Sequence, residues 1–262
     1  MDALAHLTEY YQTHDEQGRL ASRHGQVEYL TTMRYLEKYL VPGMQVLEVG
    51  AGTGRYSHAL AQMGYAVDAV ELIEHNIDLF NATTMPGETV RIRQGNATDL
   101  SCFADETFDC TLVLGPMYHL FTEADQRQVL AEALRVTKRN GLLFVAYCIS
   151  DPSIISYGFQ AGHIFELIEK GLLDTDGFKA LSTPAELFQL YRKEDIDDLL
   201  IGLPVTRLHY LGTDLFTRYI REAVDAMDEE TFALYLKYHL AICERPDLVG
   251  MTNHSLDILK KL

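Results

Sequence analysis

The chain has 262 residues, a length that fits one large domain with an insertion better than two average domains. Its composition, with 47% hydrophobic and 23% charged residues, excludes an extensively disordered chain. The formal net charge of −16 argues against nucleic acid and anionic membrane surfaces as partners, because a negative surface repels both.

The N-terminal residues lack the basic region and apolar run of a signal peptide, and no apolar stretch reaches membrane-spanning length. The four cysteines lie far apart and form no C-x-x-C pair, which indicates neither a zinc knuckle nor a disulfide framework. We therefore expect buried thiols in a cytoplasmic protein that has no membrane partner.

Residues 2–40 have the apolar periodicity of two helices, interrupted by a polar segment at residues 14–18. Pro42 and Gly43 predict a turn. Residues 45–49 then form a short apolar run that ends in glycines, as a buried parallel strand does.

Helices and strands alternate over the next hundred residues. The pattern predicts helices over residues 55–64, 74–82 and 123–137, and strands over residues 66–71, 90–93, 108–115 and 141–147. Strand–helix units in such a succession are typical of a parallel sheet with helices on both faces.

After Ser150 this alternation ends, and residues 153–202 are predicted to be a mostly helical insertion in which Thr183 to Glu186 begin a helix. Further elements are predicted in the C-terminal part of the chain. They are a strand over residues 205–211, helices over residues 215–227 and 229–243, and a final edge strand over residues 254–259, which brings the count to seven strands.

A glycine-rich loop, Gly50-Ala51-Gly52-Thr53-Gly54, lies between the first strand and the following helix. Glycine permits positive φ and close approach of the backbone to a ligand, so the loop predicts a nucleotide-like ligand. The nicotinamide fingerprint G-x-G-x-x-G requires glycine or alanine at position 55, which is Arg55, and this disfavours a dinucleotide. Glu48, just before the loop, suits a ligand with an ammonium group.

Glu71 ends the second predicted strand. A carboxylate at this edge of a doubly wound sheet accepts hydrogen bonds from both hydroxyls of a ribose. We expect Glu48 and Glu71 to face one crevice, whereas the alternative for Glu71 is a solvated strand end.

The segment from Val46 to Gly54 resembles the first motif of the class I S-adenosylmethionine-dependent methyltransferases, of the type that modifies small molecules. Residues 94–100 are similar to the family's loop after the third strand, and residues 108–120 to its fourth-strand motif. One departure is Lys138-Arg139-Asn140-Gly141, where relatives usually have Lys-Pro-Gly-Gly. The resemblance covers residues 44–148 and is looser elsewhere.

The resemblance implies a Rossmann-like α/β fold, a doubly wound sheet of seven strands with the last strand antiparallel. Residues 1–40 would form a helical lid, residues 41–150 and 203–262 the core, and residues 151–202 an insertion over the acceptor side. The implied cofactor is S-adenosylmethionine. Its implied contacts are Glu48, Gly50, Gly52 and Gly54 at the methionine and ribose, Glu71 at the ribose hydroxyls, Leu72, Asn96 and Ala97 at the adenine, and Leu114 and Gly115 near the methionine end.

Tyr118 and His119 directly follow the fourth strand, and they are the candidate catalytic residues, because histidine and tyrosine can take a proton from an acceptor hydroxyl or amine. A purely structural role is the alternative for both. Tyr11 and Arg19 lie in the predicted lid and are further candidates for cofactor or substrate contact.

The insertion carries aromatic side chains that would form an apolar roof over an acceptor or simply pack in the core: Tyr157, Phe159, His163, Phe165 and Phe178. No acid triplet indicates a magnesium site, so no metal is expected. We expect a small-molecule substrate and a monomer or homodimer. The alternatives are a non-catalytic or regulatory S-adenosylmethionine-binding protein and, less favoured, a nicotinamide oxidoreductase.

Overall fold

The computed structural model describes residues 3–13, 18 and 20–262, which build one mixed α/β sheet with helices on both faces. The strands are β1 (Gln45–Val49), β2 (Ala66–Glu71), β3 (Val90–Gln94), β4 (Phe108–Val113), β5 (Thr137–Ile149), β6 (Leu173–Asp174), β7 (Lys179–Ala180), β8 (Leu190–Tyr191), β9 (Val205–Gly212) and β10 (His254–Lys261). The α-helices are α1 (Ala3–Thr13), α2 (Arg23–Tyr39), α3 (Arg55–Gln62), α4 (Glu74–Thr83), α5 (Glu123–Val136), α6 (Ser150–Ser153), α7 (Ile164–Glu169), α8 (Lys193–Leu200), α9 (Arg221–Asp225) and α10 (Glu229–Ile242).

The strands of the main sheet lie in the order β3-β2-β1-β4-β5-β10-β9. Strands β1 to β5 pair in parallel, and β10 pairs antiparallel with both β5 and β9. The predicted doubly wound sheet with an antiparallel last strand is confirmed, and the two-residue strand β8 adds to the end of β5.

The last strand does not lie at an edge, so that prediction is wrong. Ser255 and Asp257 alternate with apolar residues as on a half-exposed strand, yet both are fully buried because β9 covers the outer side of β10. The Asp257 carboxylate accepts two hydrogen bonds of 2.8 Å from Arg207 on β9, which compensates its burial.

The segment between β5 and β9 is only partly helical. It contains α6, a π-helical segment at Ile154–Gln160, α7, a hairpin of β6 and β7, the strand β8, and α8. The prediction of a mostly helical insertion is therefore wrong for its middle part. The expected helix at Thr183 is a single 3-10 turn, Pro184–Glu186, which ends at Leu187 because this residue has a positive φ of 65°. The division into lid, core and insertion stays a prediction.

Both faces of the central sheet are buried, as the alternation of side chains along β5 illustrates. Leu142, Phe144 and Ala146 pack on one face with residues of α2 and α3, whereas Leu143 and Val145 pack on the other with residues of α5 and α8. Burying each such large apolar side chain stabilises the fold by about 1.5–3 kcal/mol. The carboxyl edge of this sheet is therefore a rigid base for a site.

Side-chain caps fix where several helices begin. The Ser22 hydroxyl accepts a hydrogen bond from the Gly25 amide at the start of α2, and Thr122 and Asp228 cap α5 and α10 in the same way. The predicted helix over residues 215–227 is instead a 3-10 segment, Leu215–Tyr219, followed by α9.

Every helix in the described part of the chain is too short or too polar to cross a membrane. All four cysteines are free thiols. Cys110, Cys148 and Cys243 are buried as predicted, but Cys102 is exposed in the loop before β4, so that prediction is wrong for this residue.

Candidate active site

One large cavity of about 790 Å³ opens at the carboxyl ends of β1, β2, β4 and β5. Parallel strands bring the loops that follow them to this edge, which explains why residues distant in sequence meet here. The predicted site residues that line the cavity are Tyr11, Glu48, Gly50, Gly52, Glu71, Leu72, Asn96, Ala97, Leu114, Gly115, Tyr118 and His119.

Among the predicted residues that the structure describes, Gly54 does not line the cavity. Gly54 precedes α3 with a φ of 89°, and a Cβ placed there would lie 2.4 Å from the Phe80 ring and 2.7 Å from His58 Nε2. Close packing and the positive φ both favour glycine at this position. Arg19 lies outside the described residues.

The glycine loop is held against β2 by its backbone. The amides of Gly50 and Ala51 both donate to the Val70 carbonyl, at 2.8 and 3.1 Å. Gly50 and Gly52 have positive φ angles of 70° and 54°, which turn the loop over the strand end. A Cβ at Gly50 would lie 2.7 Å from the Pro116 ring, so the loop also packs closely against the segment after β4.

Glu71 connects the end of β2 to this loop. One carboxylate oxygen accepts a hydrogen bond of 2.8 Å from the Gly52 amide, and the other accepts from the Ile73 amide at 2.9 Å and from Asn76 Nδ2 at 3.3 Å. Burial raises the pKa of Glu71, and these donors only partly oppose it. The side chain is thus fixed with its carboxylate at the cavity wall, and it is not a solvated strand end.

Glu48 is the second carboxylate at this end of the cavity. It is 2% exposed and accepts a hydrogen bond of 2.5 Å from the Ser57 hydroxyl. Burial raises its pKa to about 8, because no cationic side chain in the described ranges pairs with it. A ligand cation placed beside Glu48 would restore the ionised form.

Asn96 follows β3 and forms a tight turn in which its Oδ1 accepts from the Thr98 amide at 3.1 Å. This leaves the Asn96 Nδ2 group without a hydrogen bond to any described residue. Leu72 and Ala97 supply apolar surface beside it, so this part of the cavity suits a flat, partly polar group.

His119 lies in the 3-10 turn Pro116–His119 that follows β4. Its Nδ1 is 2.8 Å from the Leu187 carbonyl, an acceptor, so Nδ1 carries the hydrogen and Nε2 accepts. Tyr11 donates its hydroxyl hydrogen to that Nε2 over 2.9 Å. Burial lowers the pKa of His119, which makes this imidazole a neutral base in one fixed tautomer.

Tyr118 is buried, and its ring packs on that of His254 with 5.8 Å between the centroids. The Tyr118 carbonyl accepts a hydrogen bond of 2.6 Å from the Gln189 amide, which ties the turn after β4 to the insertion. Tyr118 and His119 thus line the same cavity, but Tyr118 packs against His254 whereas His119 is hydrogen-bonded to Tyr11 and Leu187.

Three polar residues that no sequence motif indicated meet at the cavity: Glu28 on α2, Asp214 after β9 and His254 at the start of β10. His254 Nδ1 lies 3.2 Å from Glu28 Oε2 and 3.1 Å from Asp214 Oδ2. Burial lowers the pKa of His254, but Glu28, Cys148 and Asp214 outweigh it and hold the pKa well above 6.5. The imidazolium thereby occupies the place between the carboxylates.

The predicted aromatic roof is mostly wrong. Tyr157 lines the cavity, but Phe159, Phe165 and Phe178 are 58%, 75% and 46% exposed and do not line it. His163 also lies outside the cavity lining and stacks on Tyr157 with 4.4 Å between ring centroids. Phe159, Phe165 and Phe178 therefore neither cover the cavity nor pack in the core, which were the two predicted alternatives.

The comparisons with known proteins agree on one family. A family model described as a methyltransferase domain matches residues 47–145. The ubiquinone biosynthesis O-methyltransferase of Hahella chejuensis is 25% identical over 199 residues, 74% of this chain and 81% of the relative. The glycine/sarcosine N-methyltransferase of Aphanothece halophytica is 30% identical over 123 residues, 46% of each chain.

Among solved structures, a phosphoethanolamine N-methyltransferase 1 of Haemonchus contortus, in complex with phosphoethanolamine and S-adenosylhomocysteine, has the same fold. It superposes with a TM-score of 0.62 at 16% identity, over 100% of this chain and 48% of that one. These matches leave no support for the nicotinamide alternative.

Proposed function

We propose that this chain, which is a class I S-adenosylmethionine-dependent methyltransferase, transfers the methyl group to a small molecule bound in the same cavity by in-line displacement. The observation that carries the proposal is the shape of the site. One cavity of about 790 Å³ joins the glycine loop and its two carboxylates to the Tyr11–His119 pair. Cofactor and acceptor would therefore lie side by side, as an in-line transfer requires.

The residues at the glycine loop fit S-adenosylmethionine. Glu48 is a buried carboxylate without a cationic partner among the described residues, which suits the amino group of the methionine part. Glu71 lies fixed at the end of β2, where a ribose is bound in folds of this class. Asn96 has an uncommitted amide, and with Leu72 and Ala97 it would hold the adenine.

S-adenosylmethionine supplies an activated methyl group on a sulfonium, so the protein has mainly to align the acceptor and exclude water. The Tyr11 hydroxyl can accept a proton from an acceptor hydroxyl or amine while it passes its own to His119 Nε2. The Leu187 carbonyl holds the imidazole in the tautomer that this step needs. Tyr118 would form the adjacent wall.

Isothermal titration with S-adenosylmethionine and S-adenosylhomocysteine tests the cofactor part. We expect saturable binding that weakens about 10-fold or more in Glu71→Ala, because a buried charged acceptor is lost. Glu74→Ala is the matched control, since Glu74 is exposed and does not line the cavity. Equal affinity in both variants would contradict the assignment of Glu71.

Release of S-adenosylhomocysteine in the presence of small hydroxyl, amine and thiol compounds tests the transfer. Cofactor binding without release over such a panel would favour the regulatory alternative. The cytoplasmic location, the absence of nucleic-acid partners, the absence of a metal and the monomeric or homodimeric state stay predictions.

A further inference from the structure

Arg218 is a cavity-lining cation without an acidic partner in the described part of the chain. Its Nε and Nη2 atoms donate to the Ser156 hydroxyl at 3.2 and 3.0 Å, and these are its only hydrogen bonds to described residues. Two other half-buried arginines of this acidic protein meet carboxylates: Arg207 pairs with Asp257 and Arg192 with Asp151. Among the arginines that line the cavity, Arg55 lies over the Tyr29 ring and Arg221 is exposed, whereas Arg218 is half-buried.

Ser156 fixes the direction of this guanidinium. The Ser156 hydroxyl donates its own hydrogen to the Pro152 carbonyl at 2.8 Å, so its oxygen is left to accept from Arg218. One edge of the guanidinium is thereby held, and Nη1 is left without a protein partner among the described residues. Because a guanidinium is planar, holding it along one edge also fixes the direction of its remaining N–H donors.

The position of Arg218 suits a group on the acceptor rather than on the cofactor. Its anchor, Ser156, follows β5, whose carboxyl end is two strands away from that of β1, where the glycine loop lies. At about 4.8 Å between strands, this separation is about 10 Å. Burial and the neighbouring Arg221 lower the pKa of Arg218 more than Asp214 raises it, so an anion beside the half-buried guanidinium would be favoured by both positive charges.

We propose that Arg218 binds a carboxylate of the methyl acceptor, with Arg221 adding positive charge at the same place, so that the substrate is a small carboxylic acid. This proposal rests on the proposed transfer to a small molecule. A guanidinium fork matches the two oxygens of a carboxylate. A singly charged carboxylate fits better than a phosphate, because the carboxylates of Glu28 and Asp214 line the same cavity and would repel a second negative charge.

The test is binding of benzoate, benzamide and inorganic phosphate to the protein saturated with S-adenosylhomocysteine, measured by calorimetry. We expect saturable benzoate binding that is about 10-fold weaker or more in Arg218→Gln, since a charge-assisted contact is lost. Benzamide, which has the same shape without the charge, should bind the wild type more weakly than benzoate does. Arg139→Gln is the matched control, because Arg139 is exposed and does not line the cavity.

Arg218→Lys keeps the positive charge but removes the planar guanidinium, and we expect its affinity for benzoate to lie between those of the wild type and Arg218→Gln. If Arg218→Gln no longer binds S-adenosylhomocysteine, Arg218→Lys takes its place in the test. Absence of benzoate binding, equal binding of benzoate and benzamide, or an affinity for benzoate that is unchanged in Arg218→Gln and Arg218→Lys would overturn the proposal. Tighter binding of phosphate than of benzoate would overturn the choice of carboxylate. Failure of the wild type to bind S-adenosylhomocysteine is a separate result, which would contradict the proposed function itself.

Discussion

Tyr11 and His119 are 108 positions apart in the sequence, and the Tyr11 hydroxyl donates to His119 Nε2 over 2.9 Å. The other imidazole nitrogen donates to the Leu187 carbonyl. Helix α1, the turn after β4 and the segment after β7 therefore meet at one imidazole. Among the described residues, the Tyr11 hydroxyl is therefore the group through which a proton can reach Nε2 of this ring.

Tyr11→Phe removes the hydroxyl through which a proton would reach His119. For a hydroxyl or amine acceptor we expect kcat to fall about 100-fold, as for other losses of general base catalysis. The affinity for S-adenosylhomocysteine should not change. Tyr238→Phe is the control, because Tyr238 is exposed and outside the cavity. If the affinity falls and kcat does not, Tyr11 is a cofactor contact instead.

The pH dependence of the transfer rate should show the protonation of His119. Burial lowers the pKa of this imidazole from 6.5, and only its neutral form can accept a proton. The rate should therefore fall as the pH falls through this lowered pKa, and this acidic limb should lie below about pH 6.5. The measurement is kcat against pH for the wild type and for His119→Asn, in which the acidic limb should disappear. An acidic limb that persists in His119→Asn would belong to another group.

Glu48→Gln should change both the pH dependence of the unfolding free energy and the affinity for the cofactor, and the two effects can be measured separately. The folded-state pKa of Glu48 is about 8, above the ordinary 4.5, so the folded protein holds this proton more tightly than the unfolded chain does. This contribution to stability is complete below the ordinary pKa and is lost as the pH rises towards 8. Without ligand, the variant should lose less unfolding free energy than the wild type between about pH 6 and about pH 9, measured in urea.

The same variant should bind S-adenosylmethionine about 10-fold more weakly or worse at about pH 8, where part of the wild-type carboxylate is already ionised without ligand. For the wild type, the affinity should rise as the pH approaches 8, since binding the ammonium requires the ionised form of Glu48, and it should fall at higher pH as the ammonium of the ligand loses its proton. An affinity that is independent of pH in both proteins would place the amino group of the cofactor elsewhere.

The residues around the glycine loop could be predicted from the sequence because each of them is marked by a local sequence pattern. A short apolar strand, glycines with positive φ and an acid at the end of the next strand each follow from neighbours in the chain. Glu28, Asp214 and Arg218 had no such signal, because their contacts depend on how distant elements pack. Residues 154–180 were mispredicted because aromatic spacing alone does not say which side of a segment is buried.

The place of His254 at the carboxyl edge of the sheet follows from the predicted direction of the last strand. An antiparallel last strand begins at the edge where its parallel neighbour ends, and His254 indeed pairs with Cys148 near the end of β5. This consequence does not depend on whether the strand lies at the edge of the sheet. The sequence does not show that α2 and the segment after β9 bring Glu28 and Asp214 to His254, because those contacts join elements that are distant in the chain.

Gly54→Ala tests whether this glycine serves packing, since Gly54 does not line the cavity. Gly64→Ala is a matched control, because Gly64 has a similar φ of 93° but open space where a Cβ would stand. The positive φ disfavours an added Cβ in both variants, whereas the added methyl at position 54 also meets the Phe80 ring at 2.4 Å. We expect Gly54→Ala to lose about 1–3 kcal/mol more unfolding free energy than Gly64→Ala, measured by urea denaturation.

Phe80→Leu, combined with Gly54→Ala, should recover part of that difference, because it removes ring atoms from the clash. Equal losses in the two single variants would mean that Gly54 is needed only for its positive φ.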